Sequence, residues 1–158
     1  MSDFNPSLPH KHLLTLSLDV DSAGAAQIGK TPDGQRNIAP ITGGAFEGAR
    51  LRGTVLPGGA DWVRLRADGV MVIDVRLTLQ THDGVLIYLA YEGRFIGAAG
   101  ALAALARGQA LDPDSYSLVT VAKFECGEPR YAWLNDVIAV GTGEQSGFNP
   151  LYTFYEIG

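Results

Sequence analysis

The chain has 158 residues, of which 46% are hydrophobic and 18% charged, and its formal net charge is −5. This length and composition predict one globular domain with a substantial core and exclude an intrinsically disordered chain. The acidic balance and the scattered basic residues argue against nucleic-acid binding, and no apolar stretch approaches the roughly 20 residues of a membrane-spanning helix. The single cysteine excludes an intrachain disulfide, and the absence of a signal-peptide pattern at the start predicts a cytoplasmic location.

The first part of the chain reads as a tail followed by a strand. Residues 1–12 are predicted to be a flexible tail, so the single folded domain is expected to span residues 13–158. Residues 13–20 alternate apolar and polar side chains, which is typical of a half-buried β-strand. The stretch 29–44 is rich in turn-forming residues and predicts either a long ordered loop or a broken strand.

The rest of the chain predicts strands joined by short turns. The Asp68-Gly69 and Asp83-Gly84 pairs predict two-residue hairpin turns. The alanine-rich segment Gly97–Gly108 predicts one short helix. This pattern favours an antiparallel β-barrel or a sandwich, because no alternation of strands and helices is present. The strands are predicted at residues 49–56, 61–67, 71–81, 85–95, 116–125, 130–141 and 151–158.

The two Asp-Gly turns allow cross-strand pairs to be counted. If each is a two-residue turn, Asp61 pairs with Arg76 and Arg76 pairs with Tyr91, so the three share one face. Asp74 and Thr78 flank Arg76 on that face, which is otherwise mostly apolar. Apolar walls with a few convergent polar groups are the composition of a ligand pocket. The opposite face carries Trp62, Ile73, Val75, Leu77, Leu79 and Tyr88.

The predicted catalytic residues are Asp74 and Arg76. Paired with Asp61, Arg76 holds an anionic or carbonyl oxygen, and the less committed Asp74 moves a proton. Ligand-binding roles are predicted for Asp61, Tyr91, Thr78, Trp133 and Asn135, the last two of which alternate on a predicted strand and line either the pocket or the core. The alternative is that Asp61 and Arg76 form a buried structural ion pair without any chemistry.

No metal or cofactor is predicted. His10 and His12 lack a third ligand, and the glycine-rich stretches lack a phosphate-binding lysine. There is no Gly-x-Ser-x-Gly motif, and Ser115 and Ser117 have no convincing histidine partner. Any reaction is therefore expected to use acid and base groups of the chain itself.

Three segments resemble a known but uncharacterised family. These are GQRNIAPITGGAFEGARLRGTVLPGGADW, RADGVMVIDVRLTLQTHDGVLIY and RYAWLN. They resemble domain of unknown function 3237, also called uncharacterised protein family 0311, from about residue 13 to the end. The resemblance implies a closed antiparallel β-barrel of the lipocalin-like kind and no settled reaction. The matching positions are Asp61, Trp62, Asp74, Arg76, Asp83, Gly84, Trp133, Leu134 and Asn135, whereas Leu77 stands where an aromatic is common.

Three functions stay open at this point. The first is a cofactor-free isomerase, lyase or cyclase acting on a small apolar or aromatic molecule. The second is a ligand-binding barrel without chemistry, and the third is a structural barrel filled by its own side chains. A homodimer is predicted as well, because an outward-facing second face would be too apolar to stay uncovered. An open cavity of about 300 Å³ or more would favour the first two functions.

Overall fold

A computed structural model describes residues 7–158 of the chain. Within this range it contains ten β-strands, one short α-helix and two 3₁₀ segments. The strands are β1 (His10–Val20), β2 (Ala26–Thr31), β3 (Gly34–Glu47), β4 (Arg52–Val55), β5 (Gly59–Leu65), β6 (Met71–Thr81), β7 (Leu86–Gly97), β8 (Tyr116–Glu125), β9 (Ile138–Ser146) and β10 (Asn149–Ile157). Helix α1 is Ala101–Ala106, and the 3₁₀ segments are Pro113–Ser115 and Pro129–Asp136.

The strands form a closed antiparallel barrel. Each strand from β5 to β10 pairs with the next one, and β10 returns to pair with β1. Strand β3 is long enough to pair with β1 and β2 on one side and with β4 and β5 on the other. The barrel therefore has eight strand positions, and two of these positions are each filled by two strands, β1 with β2 and β4 with β5. This confirms the predicted barrel and removes the sandwich alternative.

The barrel interior is packed with large side chains at positions opened by glycine. Tyr152 and Phe154 on β10 are almost fully buried, and their β9 partners are Gly143 and Gly141. A side chain on either glycine would meet the aromatic ring beside it. The small strand residues thus make room for the rings, and the core depends on that complementarity.

Both hairpins at the ends of β6 have three-residue loops. Arg66 N–H donates to Val70 O over 2.9 Å, and Thr81 N–H donates to Val85 O over 2.9 Å, so each loop encloses three residues. Gly69 and Gly84 close these loops with φ of 86° and 88°. A two-residue type I′ turn requires positive φ at both of its central residues. Among the described residues of each loop, only the glycine has positive φ. The predicted two-residue turns are therefore wrong.

The longer loops shift the register by one residue on each side of β6. Asp61 pairs with Val75, and Val75 pairs with Tyr91. Because the two shifts cancel, Asp61 and Tyr91 still share the inner face. Only β6 is turned over, since a slip of one residue exchanges the two faces of a strand.

The apolar face of β6 consequently points inward. Ile73, Val75, Leu77 and Leu79 are buried in the barrel rather than exposed on its outside. The homodimer is predicted from an apolar outer face, and β6 does not present such a face. The homodimer therefore stays a prediction, and β6 does not support it.

Other boundaries differ from the sequence expectations in local ways. Of the two alternatives for residues 29–44, the broken strand fits and the loop does not, because this stretch contains the end of β2 and most of β3. The predicted strand over 130–141 is a 3₁₀ segment up to Asp136, and β9 begins only at Ile138. Strand β1 begins at His10, inside the stretch expected to be a tail, whereas residues 1–6 lie outside the described part. Between residues 7 and 158, the helix has neither the length nor the apolar run needed to cross a membrane.

The packing of β10 against β9 predicts that Gly141→Ala destabilises the barrel. The new Cβ would lie 2.5 Å from Thr120 Oγ1 and 2.6 Å from Phe154 Cε1, and neither side chain has room to move. Overpacking of this kind costs about 1–3 kcal/mol of unfolding free energy, which urea denaturation measures. Gly127→Ala is the control, because nothing lies within 4 Å of its added Cβ. Equal stability of the two variants would contradict this account of the core.

Candidate functional site

A cavity of about 340 Å³ lies inside one end of the barrel. Its wall is formed mainly by apolar side chains of the strands, including Ile41, Val63 and Ile73. Helix α1 covers this end with Leu102 and Leu105, which also line the cavity. A cavity of this size and composition is within the range of small-molecule sites. The barrel is thus not completely filled by its own side chains.

Phe148 completes the cover of the cavity. It lies in the turn between β9 and β10 and lines the cavity, yet 45% of its surface is exposed. A Cβ on Gly108, just after α1, would lie 2.6 Å from the Phe148 ring. The turn and the end of the helix are therefore in contact, and together they cover part of the cavity mouth, which stays partly open to solvent.

Asp61 places a carboxyl group in the cavity wall. The backbone before it breaks between β4 and β5, and Gly58 there has a φ of 108°. Gly59 passes close to β6, since a Cβ on it would lie 2.5 Å from Arg76 O. These two glycines allow the chain to re-enter the sheet with Asp61 on the inner face, opposite Val75. The Gly-Gly-Ala-Asp-Trp sequence thus delivers a carboxylate to an apolar interior.

The surroundings of Asp61 favour its protonated form. Burial raises the pKa of this carboxyl from 3.8 to about 7, and the negative charge of Asp74 also raises it. Two effects smaller than burial lower the pKa: first a 3.1 Å hydrogen bond that Asp74 N–H donates to Oδ1, and then the positive charge of Arg36. Arg36 does not pair with the carboxyl, because its guanidinium donates to Trp62 O over 2.6 Å. Asp61 is therefore able to exchange a proton near neutral pH.

Two tyrosines lie beside Asp61 in the same cavity. The rings of Tyr91 and Tyr152 have their centroids 5.1 Å apart, and both side chains are buried. Burial, and then the nearby charges, raises the pKa of both phenols, so each keeps its proton over the physiological range. Among residues 7–158 the Tyr91 hydroxyl has no partner within full hydrogen-bond geometry, although its interaction with the Tyr152 hydroxyl helps to raise its pKa. A phenol that stays protonated and lacks a well-formed hydrogen bond can turn to donate to a ligand oxygen.

The structure does not bring Asp74, Arg76 and Thr78 into the cavity. They lie on the outer face of β6, because the three-residue loops turn this strand over. The Arg76 guanidinium lies 3.6 Å from Asp74 and 5.1 Å from the centroid of the Trp62 ring, and its side chain is 51% exposed. The predicted pair of Asp61 with Arg76 is therefore wrong, and Asp74 and Arg76 are not placed to act on a molecule in the cavity.

Trp133 and Asn135 also lie away from the cavity, on the second 3₁₀ segment. The Asn135 amide oxygen accepts from Cys126 N–H over 2.8 Å, and its nitrogen donates to Cys126 O over 2.9 Å. Arg50 stacks 3.8 Å from the centroid of the Trp133 ring. The Asn135 amide thus forms the two backbone hydrogen bonds with Cys126 that a paired strand would form. The prediction that Trp133 and Asn135 line the interior pocket is wrong. Asn135 and Thr78 share only a shallow groove on the outer surface.

Sequence reasoning missed several cavity residues. Tyr152, Asn37 and Gln145 line the cavity; Gln145 and Tyr152 lie on the β9–β10 hairpin, and Asn37 lies far from them in the chain, on β3. Tyr152 had a usable signal, because it alternates with Phe154 in a strand. Asn37 and Gln145 lie in stretches rich in glycine and polar residues, where no alternation marks an inner face. Among the residues that the structure describes, no three His, Cys, Asp or Glu side chains are grouped as a metal site requires.

Comparison with known proteins identifies the family. A model of the family described as "Protein of unknown function (DUF3237)" matches residues 8–157. The chain belongs to this family. A UPF0311 protein of Rhodopseudomonas palustris is 33% identical over 138 residues, which cover 87% of this chain and 88% of the relative. A UPF0311 protein of Clostridium acetobutylicum is 32% identical over 124 residues, 78% of each chain. The predicted resemblance is thereby confirmed.

Solved structures of similar proteins share the barrel. A β-barrel-like protein from Acinetobacter baumannii is 39% identical with a TM-score of 0.83, and the match covers 98% of both chains. The R. palustris protein of unknown function has a TM-score of 0.91 at 28% identity, over 98% of this chain and 100% of its own. An enzyme from Penicillium herquei has a TM-score of 0.72 over 98% of both chains. Its identity is 20%, so this last likeness shows the fold alone.

The burial of Asp61 predicts that Asp61→Asn stabilises the protein at alkaline pH. The folded state binds a proton at Asp61 up to a pKa of about 7, whereas the unfolded chain releases it near 3.8. Wild-type stability therefore falls as pH rises between these values, and the variant does not share this loss. At pH 8 the variant should be more stable by roughly 1–3 kcal/mol, and at pH 3 the two should be equal.

Chemical denaturation at both pH values measures this difference. Asp114→Asn is the matched control, because Asp114 is exposed outside the barrel and the same change there should have little effect. A loss of stability in Asp61→Asn at pH 8 would instead mean that Asp61 is one half of a structural ion pair.

Proposed function

We propose that this DUF3237 protein binds a small, mostly apolar molecule in its barrel and moves a proton on it with Asp61. The supporting observation is one carboxyl group with a pKa of about 7 in the wall of an apolar cavity of about 340 Å³. A group with such a pKa is a base in half of the molecules at neutral pH and an acid in the other half. The proposed reaction class is a cofactor-free isomerisation, elimination or cyclisation.

The two phenols supply the second requirement of such chemistry. Removing a proton from carbon, or adding an alcohol to an activated double bond, builds negative charge on an oxygen of the substrate. Tyr91 and Tyr152 are buried next to Asp61 and remain protonated, so they can donate to that oxygen. We assign Asp61 the role of the base or acid and the tyrosines the role of hydrogen-bond donors.

Two features favour an enzyme over a carrier. A carrier of apolar molecules gains nothing from a carboxyl group without a cationic partner in an apolar wall, because such a group lowers stability when it ionises. Active sites keep such groups because their chemistry needs them. The P. herquei protein with this barrel is described as an enzyme, which supports the capacity of the fold for catalysis but not any particular reaction.

The proposal is tested with 5-nitrobenzisoxazole, a small aromatic probe of bases in apolar sites. A carboxylate takes the proton from its carbon as the ring N–O bond breaks, which gives a coloured cyanophenolate without any co-reactant. We expect the rate to rise with pH and to level off above a midpoint near 7. Asp61→Asn should lower kcat/KM at least about 100-fold. Asp114→Asn should leave it unchanged, since that residue is exposed outside the barrel.

Each outcome of this assay has a definite meaning. Turnover that survives in Asp61→Asn would overturn the proposal, because a different group would then be the base. Binding of the probe to the cavity without any turnover dependent on Asp61 would favour the non-catalytic ligand-binding function. Failure of the probe to bind in a crystal soak would favour the structural barrel.

Tyr91→Phe separates catalysis from stability. Its hydroxyl is buried without a well-formed hydrogen bond among the described residues, so removing it should leave the unfolding free energy unchanged or slightly raised. The same variant should turn over the probe about tenfold more slowly, because one donor to the developing phenolate is lost. A large loss of stability, or an unchanged rate, would contradict the role assigned to Tyr91.

A further inference from the structure

Two amide side chains in the cavity have no role in the proton transfer. Asn37 on β3 and Gln145 on β9 both line the cavity. Asn37 Oδ1 and Gln145 Oε1 are buried and have no hydrogen-bond partner among residues 7–158. Leaving a buried acceptor unpaired is costly for a folded protein, so groups of this kind call for an explanation.

The position of Asn37 links it to the proposed base. Asn37 pairs with Val63, and in the next inward-facing pair Ala39 lies opposite Asp61. Asn37 and Asp61 are thus diagonal neighbours on the inner face. The backbones of such residues lie about 7–8 Å apart. A single small molecule spans this distance, so a ligand that meets the Asp61 carboxyl also passes the Asn37 amide.

The chemistry of the amide indicates which ligand group it meets. A half-turn of the amide exchanges its oxygen and nitrogen without moving the rest of the side chain, so either atom can face the cavity. An aliphatic or aromatic C–H group would leave both atoms unpaired. A hydroxyl group satisfies either orientation, because it donates to the oxygen and accepts from the nitrogen.

We infer that Asn37, assisted by Gln145 at the rim, is a specificity-determining residue that selects apolar molecules carrying a hydroxyl group beyond the reacting end. This inference rests on the proposed function, because it concerns the molecule on which Asp61 acts. It narrows the range of expected substrates from any apolar compound to compounds with two separated polar groups. A pure hydrocarbon leaves the amide oxygens without a partner, whereas a ligand hydroxyl pairs with them, so the amides favour the hydroxylated molecule.

Binding of two matched probes tests the inference. We would measure 2-naphthol and 2,6-dihydroxynaphthalene by calorimetry at pH 6, where both are neutral. In the wild type the second hydroxyl should tighten binding about fivefold, the effect of one added hydrogen bond. Asn37→Leu keeps the size of the side chain and should abolish this preference without weakening 2-naphthol. Gln35→Leu, on the same strand but exposed and not lining the cavity, should keep the preference.

The outcomes separate this inference from the proposed function. If Asn37→Leu retains the fivefold preference, or the wild type shows none, the specificity role is wrong. The base role of Asp61 is untouched by that result, because the nitrobenzisoxazole assay measures it without a second hydroxyl. If neither naphthol binds to the wild type, the inference fails as well. Gln145→Met gives the second readout: a preference reduced by less than in Asn37→Leu supports the assisting role.

Discussion

The three-residue loops on either side of β6 determine what the barrel contains. Each loop has one residue more than a two-residue turn, and Gly69 or Gly84 provides the positive φ with which the loop closes. The loops fix β6 with Ile73 and Val75 inside, which completes the apolar wall around Asp61. Because strand faces alternate with a period of two residues, no intermediate arrangement is available. The inner surface of the cavity follows from these two turns.

The cavity exists because the interior is filled unequally along its length. Glycines on β9 admit the rings of Tyr152 and Phe154, which pack the middle of the barrel. Towards α1 the strand side chains leave the cavity of about 340 Å³, and the helix covers this end instead of filling it. Asp61 lies where the packed and the open regions meet. Its carboxyl is consequently desolvated enough to retain a proton, yet faces space that a ligand can occupy.

The polar residues of the family motif that lie outside the cavity hold the outer structure together. Asp83, in the β6–β7 loop, accepts hydrogen bonds from the Tyr131 hydroxyl over 3.0 and 3.1 Å and pairs with Arg130 at 2.7 Å. Hydrogen bonds from Thr81 and Tyr131 and the charge of Arg130 lower the pKa of Asp83, so this anchor stays ionised. Together with the Asn135 contacts to Cys126, it fastens the 3₁₀ segment to the barrel. These residues thus serve architecture rather than the pocket.

The sequence by itself determined the fold class and the short helix, and it placed Asp61 and Tyr91 on one face only because two one-residue errors in the register cancelled. Alternation of side chains and local turn formers act over a few residues, so a reader of the sequence can detect them. The sequence could not determine the length of the two loops, because an Asp-Gly pair fits both a two-residue turn and the end of a three-residue loop. Only the tertiary structure decided that Asp74 and Arg76 face solvent and that Asn37, Gln145 and Tyr152 join Asp61 in one cavity. Closure of the barrel brings Asn37 and Asp61 together with the β9–β10 hairpin, which is far from them in the chain, and no local pattern records that approach.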